Sequence, residues 1–259
     1  MKWASLFILV VAQCAKGIAQ NGTSGTLIVG GTETRMGEYL FTAGIRSDPD
    51  GASYCGGVLI DRMHVLTAAH CVDHDPEFVI LGAHFTAGQS DGQIVAVVDQ
   101  FVHPRYRRPQ RHSNDLAILR LAEPAQDHIP ILALTREAPV VGQEAIVCGF
   151  GLMRESGEQS PVKRHVHVPI LSNDVCSTML DGIDQTMVCA GYPQEGRRDA
   201  CHHDSGGPLF IPSDAGEPRL IGIVSWGIGC GREALPGVYS RISSSLDFIQ
   251  SILPNVSLV

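Results

Sequence analysis

From Ile28 onward the chain is broken into short apolar or alternating runs, separated by Gly, Pro, Asp and Asn. The runs are "HVLTAA", "EFVILGA", "GQIVAVVDQFV", "DLAILRL", "QEAIVCGF", "HVHVPI", "RLIGIVSW" and "PGVYSRI". Segments this short, so regularly punctuated, favour many brief antiparallel strands, hence a β barrel or sandwich. The 28 glycines and 15 prolines agree with a turn-rich chain. One helix is expected, in the terminal "SSSLDFIQSIL", where Leu246, Ile249 and Leu253 share a face. There is no short-period repeat and no low-complexity tract. At 259 residues the chain can hold one large domain or two small lobes, each with its own core.

The first residues read "MKWASLFILVVAQCAKGIAQ": one lysine, an apolar run from Ala4 to Ala12, then small residues. This is a signal-peptide pattern, with cleavage expected after Gly17 or Ala19, giving a signal over residues 1–19. The run is too short for a membrane anchor. "QNGTSGT" follows as a short polar segment within an expected propeptide over residues 20–27. Export places the seven cysteines after Cys14 in an oxidising compartment, where disulfides form and an odd one is left over. Zinc is the rival reading, but there is no CxxC pair. Asn21 and Asn255 head two sequons and are candidate glycan sites. Net charge is -8, and a chain beginning at Ile28 would carry 17 - 27 = -10, because only Lys2 and Lys16 precede it. Such a chain is a poor binder of nucleic acid or anionic membrane.

Peptide hydrolysis by serine needs a base, a buried carboxylate that orients it, and N–H donors for the developing oxyanion. "LTAAHC" offers His70, "NDLAILRL" offers Asp115 at the head of an apolar strand, and "DSGGP" offers Ser205. A lone histidine or an Asn-Asp pair is a modest signal. The three together in that order, with "IVGG" upstream and "VSWG" downstream, are specific.

With "CGGVLI" and "CAGY" added, these motifs make the region from Ile28 to about Leu253 resemble the trypsin/chymotrypsin family, in its trypsin-like branch. The resemblance implies an all-β fold of two six-stranded antiparallel β barrels, roughly 28–133 and 134–259, with a C-terminal helix. His70 and Asp115 would come from the first barrel and Ser205 from the second. It implies disulfides Cys55–Cys71, Cys176–Cys189 and Cys201–Cys230, leaving Cys148 as a buried inert thiol. It places the oxyanion donors on the backbone of His203 and Ser205. Asp199, six residues before Ser205, would floor the primary pocket and select Arg or Lys. Gly227 and Gly237 would form its walls. Ala200 replaces a hydroxyl residue that could help hold a lysine, so Arg is expected over Lys. Ser225, Trp226 and Gly227 would pair with the substrate backbone. Cleavage before Ile28 would free an ammonium that turns inward to Asp204.

Three positions depart from the family pattern. Leu27 stands where trypsin-like precursors carry a basic residue, so an Arg-specific product could not activate itself there. His203 replaces a glycine; its β-carbon restricts the backbone and projects a ring toward the leaving-group side, excluding bulky partners and protein inhibitors. His202 is a rim position. Ala83 stands where calcium-binding relatives have glutamate, so no calcium is expected in that loop. His165 and His167 are read as exposed strand residues rather than a metal pair, and no cofactor is expected. Three functions compete. The first is a secreted, monomeric endopeptidase acting on polypeptides with Arg or Lys. The second is a weak or inactive homologue acting as a secreted binding or inhibitor protein. "TAGIRSDPDGASYCGG" and "EFVILGAHF" support it by their resemblance to glucanase inhibitor proteins. The third, a lipase-type esterase, would need GxSxG on an α/β sheet and finds neither.

Overall fold

The computed structural model describes residues 30–88, 91–212 and 217–259. Ile28, Leu27, Asn21 and the expected signal therefore lie outside the described residues. Strand β1 (Thr32–Glu33) comes first, then β2 (Thr42–Arg46), β3 (Cys55–Asp61), β4 (His64–Thr67), β5 (Phe78–Leu81), β6 (Gln93–Val102) and β7 (Ala117–Leu121). Strands β2 to β7 close into a six-stranded barrel in the order β2-β3-β4-β7-β6-β5. A four-residue helix, α1 (Ala69–Val72), leaves the end of β4.

The second half begins with β8 (Ala133–Leu134), β9 (Glu144–Gly149) and β10 (Arg164–Leu171). Helix α2 (Asn173–Ser177), β11 (Met187–Ala190), β12 (Pro208–Ile211), β13 (Arg219–Trp226), β14 (Gly237–Arg241) and helix α3 (Leu246–Ile252) follow. Here β9-β10-β11-β14-β13-β12 run in order and β9 pairs back onto β10, closing a second six-stranded antiparallel barrel. Two short strands are added to it: β1 on β10, and β8 in parallel on β13. The segment between the barrels is thus stitched into the second one, and so is the start of the described chain.

Every quoted apolar run contains a strand, because alternation and β-branched content fix the local state. Two helices beyond the terminal one were not foreseen. Helix α2 is a single turn whose Ser172 side chain caps the Val175 N–H, and α1 is shorter still, so neither shows a helical period. One buried cluster runs through both barrels, joining Val58, Leu66 and Leu119 to Leu134, Phe210 and Ile223, with Ile249 of α3 in it. Disulfides join Cys55–Cys71, Cys176–Cys189 and Cys201–Cys230, and Cys148 is a buried free thiol in β9. No helix among the described residues is long and apolar enough to cross a membrane. Asn255 is exposed just beyond α3.

Candidate active site

His70 is presented by α1 at the end of β4, and Asp115 lies two residues before β7. Strands β4 and β7 are paired, Thr67 opposite Ala117, and this register brings the two residues together. The Asp115 carboxylate accepts the His70 backbone N–H at 2.9 Å and the His70 ring Nδ1–H at 2.8 Å. Its Oδ2 also accepts the Ser225 hydroxyl at 2.6 Å. Asp115 is buried, while the His70 side chain keeps 30% exposure. With Nδ1 donating to Asp115, Nε2 is the ring nitrogen left to face the cleft. Burial pulls the His70 pKa down, but the hydrogen bond and charge of Asp115 outweigh it, and the net shift is upward.

Ser205 lies in the turn that leads into β12. Its carbonyl accepts the Gly56 N–H at 2.7 Å, and Cys71 Sγ lies 3.5 Å from that same oxygen. The serine loop is therefore seated on β3 and beside the helix that carries His70. Gly206 makes this approach possible: a Cβ there would stand 2.2 Å from Thr67 Oγ1 and 2.4 Å from the Gly56 carbonyl. No hydrogen bond joins the Ser205 hydroxyl to His70 among the described residues; such contacts commonly tighten only around substrate.

A pocket opens next to Ser205, lined by Asp199, Ala200, His202, Trp226, Gly227 and Gly237 among others. Asp199 is buried in its lining. Oδ2 accepts the Gly231 N–H at 3.0 Å, while Oδ1 has no partner. Burial raises the Asp199 pKa to about 7 against the pull of backbone N–H groups. A Cβ on Gly237 would come within 2.7 Å of Asp199 Oδ1 and 3.0 Å of the Tyr239 hydroxyl, so a larger residue there would displace the Asp199 carboxylate. Asp204 is fully buried, accepts N–H groups of Gly151 and Cys201 at 2.8 and 2.9 Å, and is likewise raised to about 7 by burial.

His203 holds a left-handed backbone, φ 73°. Its Nδ1–H donates to the Tyr54 carbonyl at 3.2 Å, tying the ring to the end of the segment before β3. The His202 carbonyl accepts the Leu152 N–H at 2.8 Å. Because a trans peptide sets C=O and N–H on opposite sides, the His203 N–H points away from Leu152.

The rings of His165 and His167 lie edge to face, centroids 5.7 Å apart; His167 is exposed as expected, but His165 is half-buried. His167 pairs with Glu144 at 2.6 Å, and His165 packs edge-on against Tyr39. Among the described residues the one close group of three metal-type ligands is Cys55, His70 and Cys71, whose sulfurs are joined to each other. Burial pushes the Cys148 thiol up to about 11, which keeps it protonated and unreactive. The motifs did not disclose the hydroxyl of Ser225 as a partner of Asp115. Nor did they disclose a hollow beside His70 lined by Tyr106, Arg107, Arg111 and His112. The run of arginines in "HPRYRRPQRHSND" was the available signal for it.

The trypsin family model, described as Trypsin, matches residues 28–249. Glucanase inhibitor protein 2 of Phytophthora sojae is 36% identical over 236 residues, covering 89% of this chain and 81% of its own. The venom protease of Bombus pensylvanicus is 33% identical over 239 residues, covering 85% and 96%. Serine proteinase stubble of Drosophila melanogaster is 35% identical over 246 residues, 86% of this chain but 31% of its own. The similarity thus reaches both proteases and proteins named for inhibiting glucanases. With the family model spanning both barrels and the Asp115–His70 pair on the first, the chain belongs to the trypsin family.

Proposed function

We propose that the protein is a secreted trypsin-like serine endopeptidase that cuts after Arg and, less well, after Lys. The observation that carries this reading is the unpartnered carboxylate oxygen of Asp199, buried in a pocket that Ser205 also lines. A binder has no physical need for a buried, unpaired carboxylate. A guanidinium entering the pocket would supply the missing donors and lower the Asp199 pKa from about 7.

In this reading Ser205 Oγ attacks the carbonyl carbon while its proton passes to His70 Nε2. Asp115 holds the ring and stabilises the imidazolium, and the Ser225 hydroxyl steadies Asp115. The N–H groups of His203 and Ser205 receive the oxyanion. Collapse breaks the C–N bond, with His70 returning the proton to the leaving amine. Water then repeats the sequence on the acyl-enzyme. Ala200 lends no hydroxyl to the pocket, which favours the guanidinium over the ammonium. Ser225 to Gly227 would hold the peptide backbone. Removal of residues 1–19 on export and cleavage after Leu27 would give a chain beginning at Ile28, whose ammonium neutralises Asp204. The three disulfides fit an extracellular protein. The domain would act as a monomer over residues 28–259, with glycan attached at Asn255.

The second reading, a protease-fold binding protein, is favoured by the glucanase inhibitor relatives and by Leu27. Hydrolysis of small Arg, Lys and Phe peptide amides decides between them. The chain should begin at Ile28, with Ser205→Ala as control. Arg turnover that the control abolishes is the expected result. Turnover no greater than the control, with Ile28 verified as the amino terminus, would make the cleft a binding surface.

A further inference from the structure

The hollow beside His70 is lined by Tyr106, Arg107, Arg111 and His112, from the loop between β6 and β7, and by Ser225 of β13. From His103 to Asp115 this loop holds four arginines and no acid before Asp115, in a chain of net charge -8. Its backbone is pinned. The buried Asn114 amide donates to the carbonyls of Arg105 and Arg108 at 3.3 and 2.7 Å. The Arg107 N–H reaches the Ser113 carbonyl at 2.9 Å, and the Ser113 hydroxyl accepts the Gln110 N–H at 2.8 Å.

His112 stacks on Trp226, with centroids 4.8 Å apart and planes 20° from parallel. Burial, aided by Arg111, lowers its pKa; the permanent positive charges lining the hollow are those of Arg107 and Arg111, with His70, whose pKa is raised, on the same lining. Arg107 meets Asp73 at 3.2 Å, but both side chains are 59% exposed and water screens the pair. Arg111 is exposed and forms no ion pair among the described residues. The other acids nearby are committed or apart: Asp115 is held behind His70, Asp184 accepts the Ser113 hydroxyl and the Thr186 N–H, and Asp199 lies in the adjoining pocket.

Ser225 borders both the hollow and the Asp199 pocket. An extended peptide sends successive side chains to opposite faces. A peptide laid along Ser225–Gly227 with its arginine toward Asp199 therefore turns the preceding side chain toward Arg107 and Arg111. We infer that this hollow selects an acidic side chain, Asp or Glu, immediately before the arginine at which the substrate is cut. The inference rests on the protease reading for its register. A planar guanidinium fork suits a carboxylate better than a point charge does, and both arginines offer one.

Binding to the chain beginning at Ile28 and carrying Ser205→Ala tests it without cleavage. Every described strand and helix lies beyond Gly30, so this chain keeps them all. The probes are labelled tripeptide amides ending in Arg, with Glu, Gln or Lys before it, followed by fluorescence anisotropy. The Glu peptide should bind about fivefold more tightly than the Gln peptide, as an exposed ion pair allows, and the Lys peptide more weakly than either. The ratio should shrink as salt rises. Arg111→Glu should reverse the order of Glu and Lys, which a merely structural role for Arg111 would not do. Equal binding of the three peptides, or none, overturns the inference. Turnover by the Ser205 chain is read separately. A Glu preference without cleavage would sink the protease reading and keep only the acid selectivity of the hollow, as part of a binding surface for an acid-arginine pair.

Discussion

His203 carries two opposed contributions to stability. Its left-handed backbone, φ 73°, costs about 1 kcal/mol for a residue with a β-carbon. The hydrogen bond from its ring to the Tyr54 carbonyl returns about 1 kcal/mol. His203→Gly should therefore leave thermal stability nearly unchanged. Its effect should lie in the cleft, where the half-buried ring stands against the chain leading into β3. Peptides extending past the cleaved bond should gain in kcat/KM with the glycine variant, while small amides change little. An equal gain on both would mean instead that the histidine disturbs the oxyanion donor itself, a defect worth about 10²–10³ in rate.

At the level of elements, α3 does more than end the chain. Ile249 is fully buried in the cluster shared by both barrels, and Phe248 packs edge-on against His103, ring centres 4.7 Å apart. Beyond the helix, the tail and β8 exchange backbone hydrogen bonds: Leu134 N–H to the Ser257 carbonyl at 3.0 Å, and Val259 N–H to the Leu134 carbonyl at 2.9 Å. The terminus thus clamps the connection between the barrels. Ile249→Ala should destabilise by about 2–5 kcal/mol in urea unfolding, the usual range for emptying such a site. The transition should remain single, because the cluster is common to both barrels. A loss confined to one of two separated transitions would show that the barrels unfold independently. The heptapeptide helix was readable from the shared face of Leu246, Ile249 and Leu253. Its docking partner was not, since periodicity marks a buried face without saying what buries it.

For the molecule as a whole, the buried acids Asp199 and Asp204 make stability depend on pH. Both have folded pKa values of about 7, raised by burial from the ordinary 3.8, so the folded chain holds these protons more tightly than the unfolded chain. Stability therefore falls as pH rises from the ordinary carboxylate value of 3.8 through about 7, and levels off once both acids are ionised in the folded chain. His70, also raised, contributes in the same direction. His103, His112 and His165 are lowered, and their opposing effect is confined to pH below the ordinary histidine value of 6.5. The uncleaved chain should therefore melt at a lower temperature at about pH 8 than at about pH 6.5, and Asp199→Asn should flatten that slope. An unchanged slope in the variant would mean Asp199 is not the desolvated acid that the pocket geometry requires. Cleavage that delivers the Ile28 ammonium to Asp204 should remove the Asp204 share of the slope as well.

Strands β4 to β7, β9, β10, β13 and β14 were legible because alternation, β-branched runs and turn residues act within a few positions of one another, whereas β8, β11 and β12 fall outside the quoted runs. "DSGGP", with His70 and Asp115 before it, marked the candidate site for the same reason: each motif is a local solution to a local geometric need. The chain alone could not say that Thr67 faces Ala117 across β4 and β7, yet this register sets His70 on Asp115. Nor could it say that the Ser225 hydroxyl completes Asp115, or that Arg107 and Arg111 share a hollow with His70. Alternation specifies which face of a strand is buried; it does not specify the neighbouring strand or the register. Those follow from barrel closure and from packing between residues far apart in sequence, and only the tertiary structure decides them.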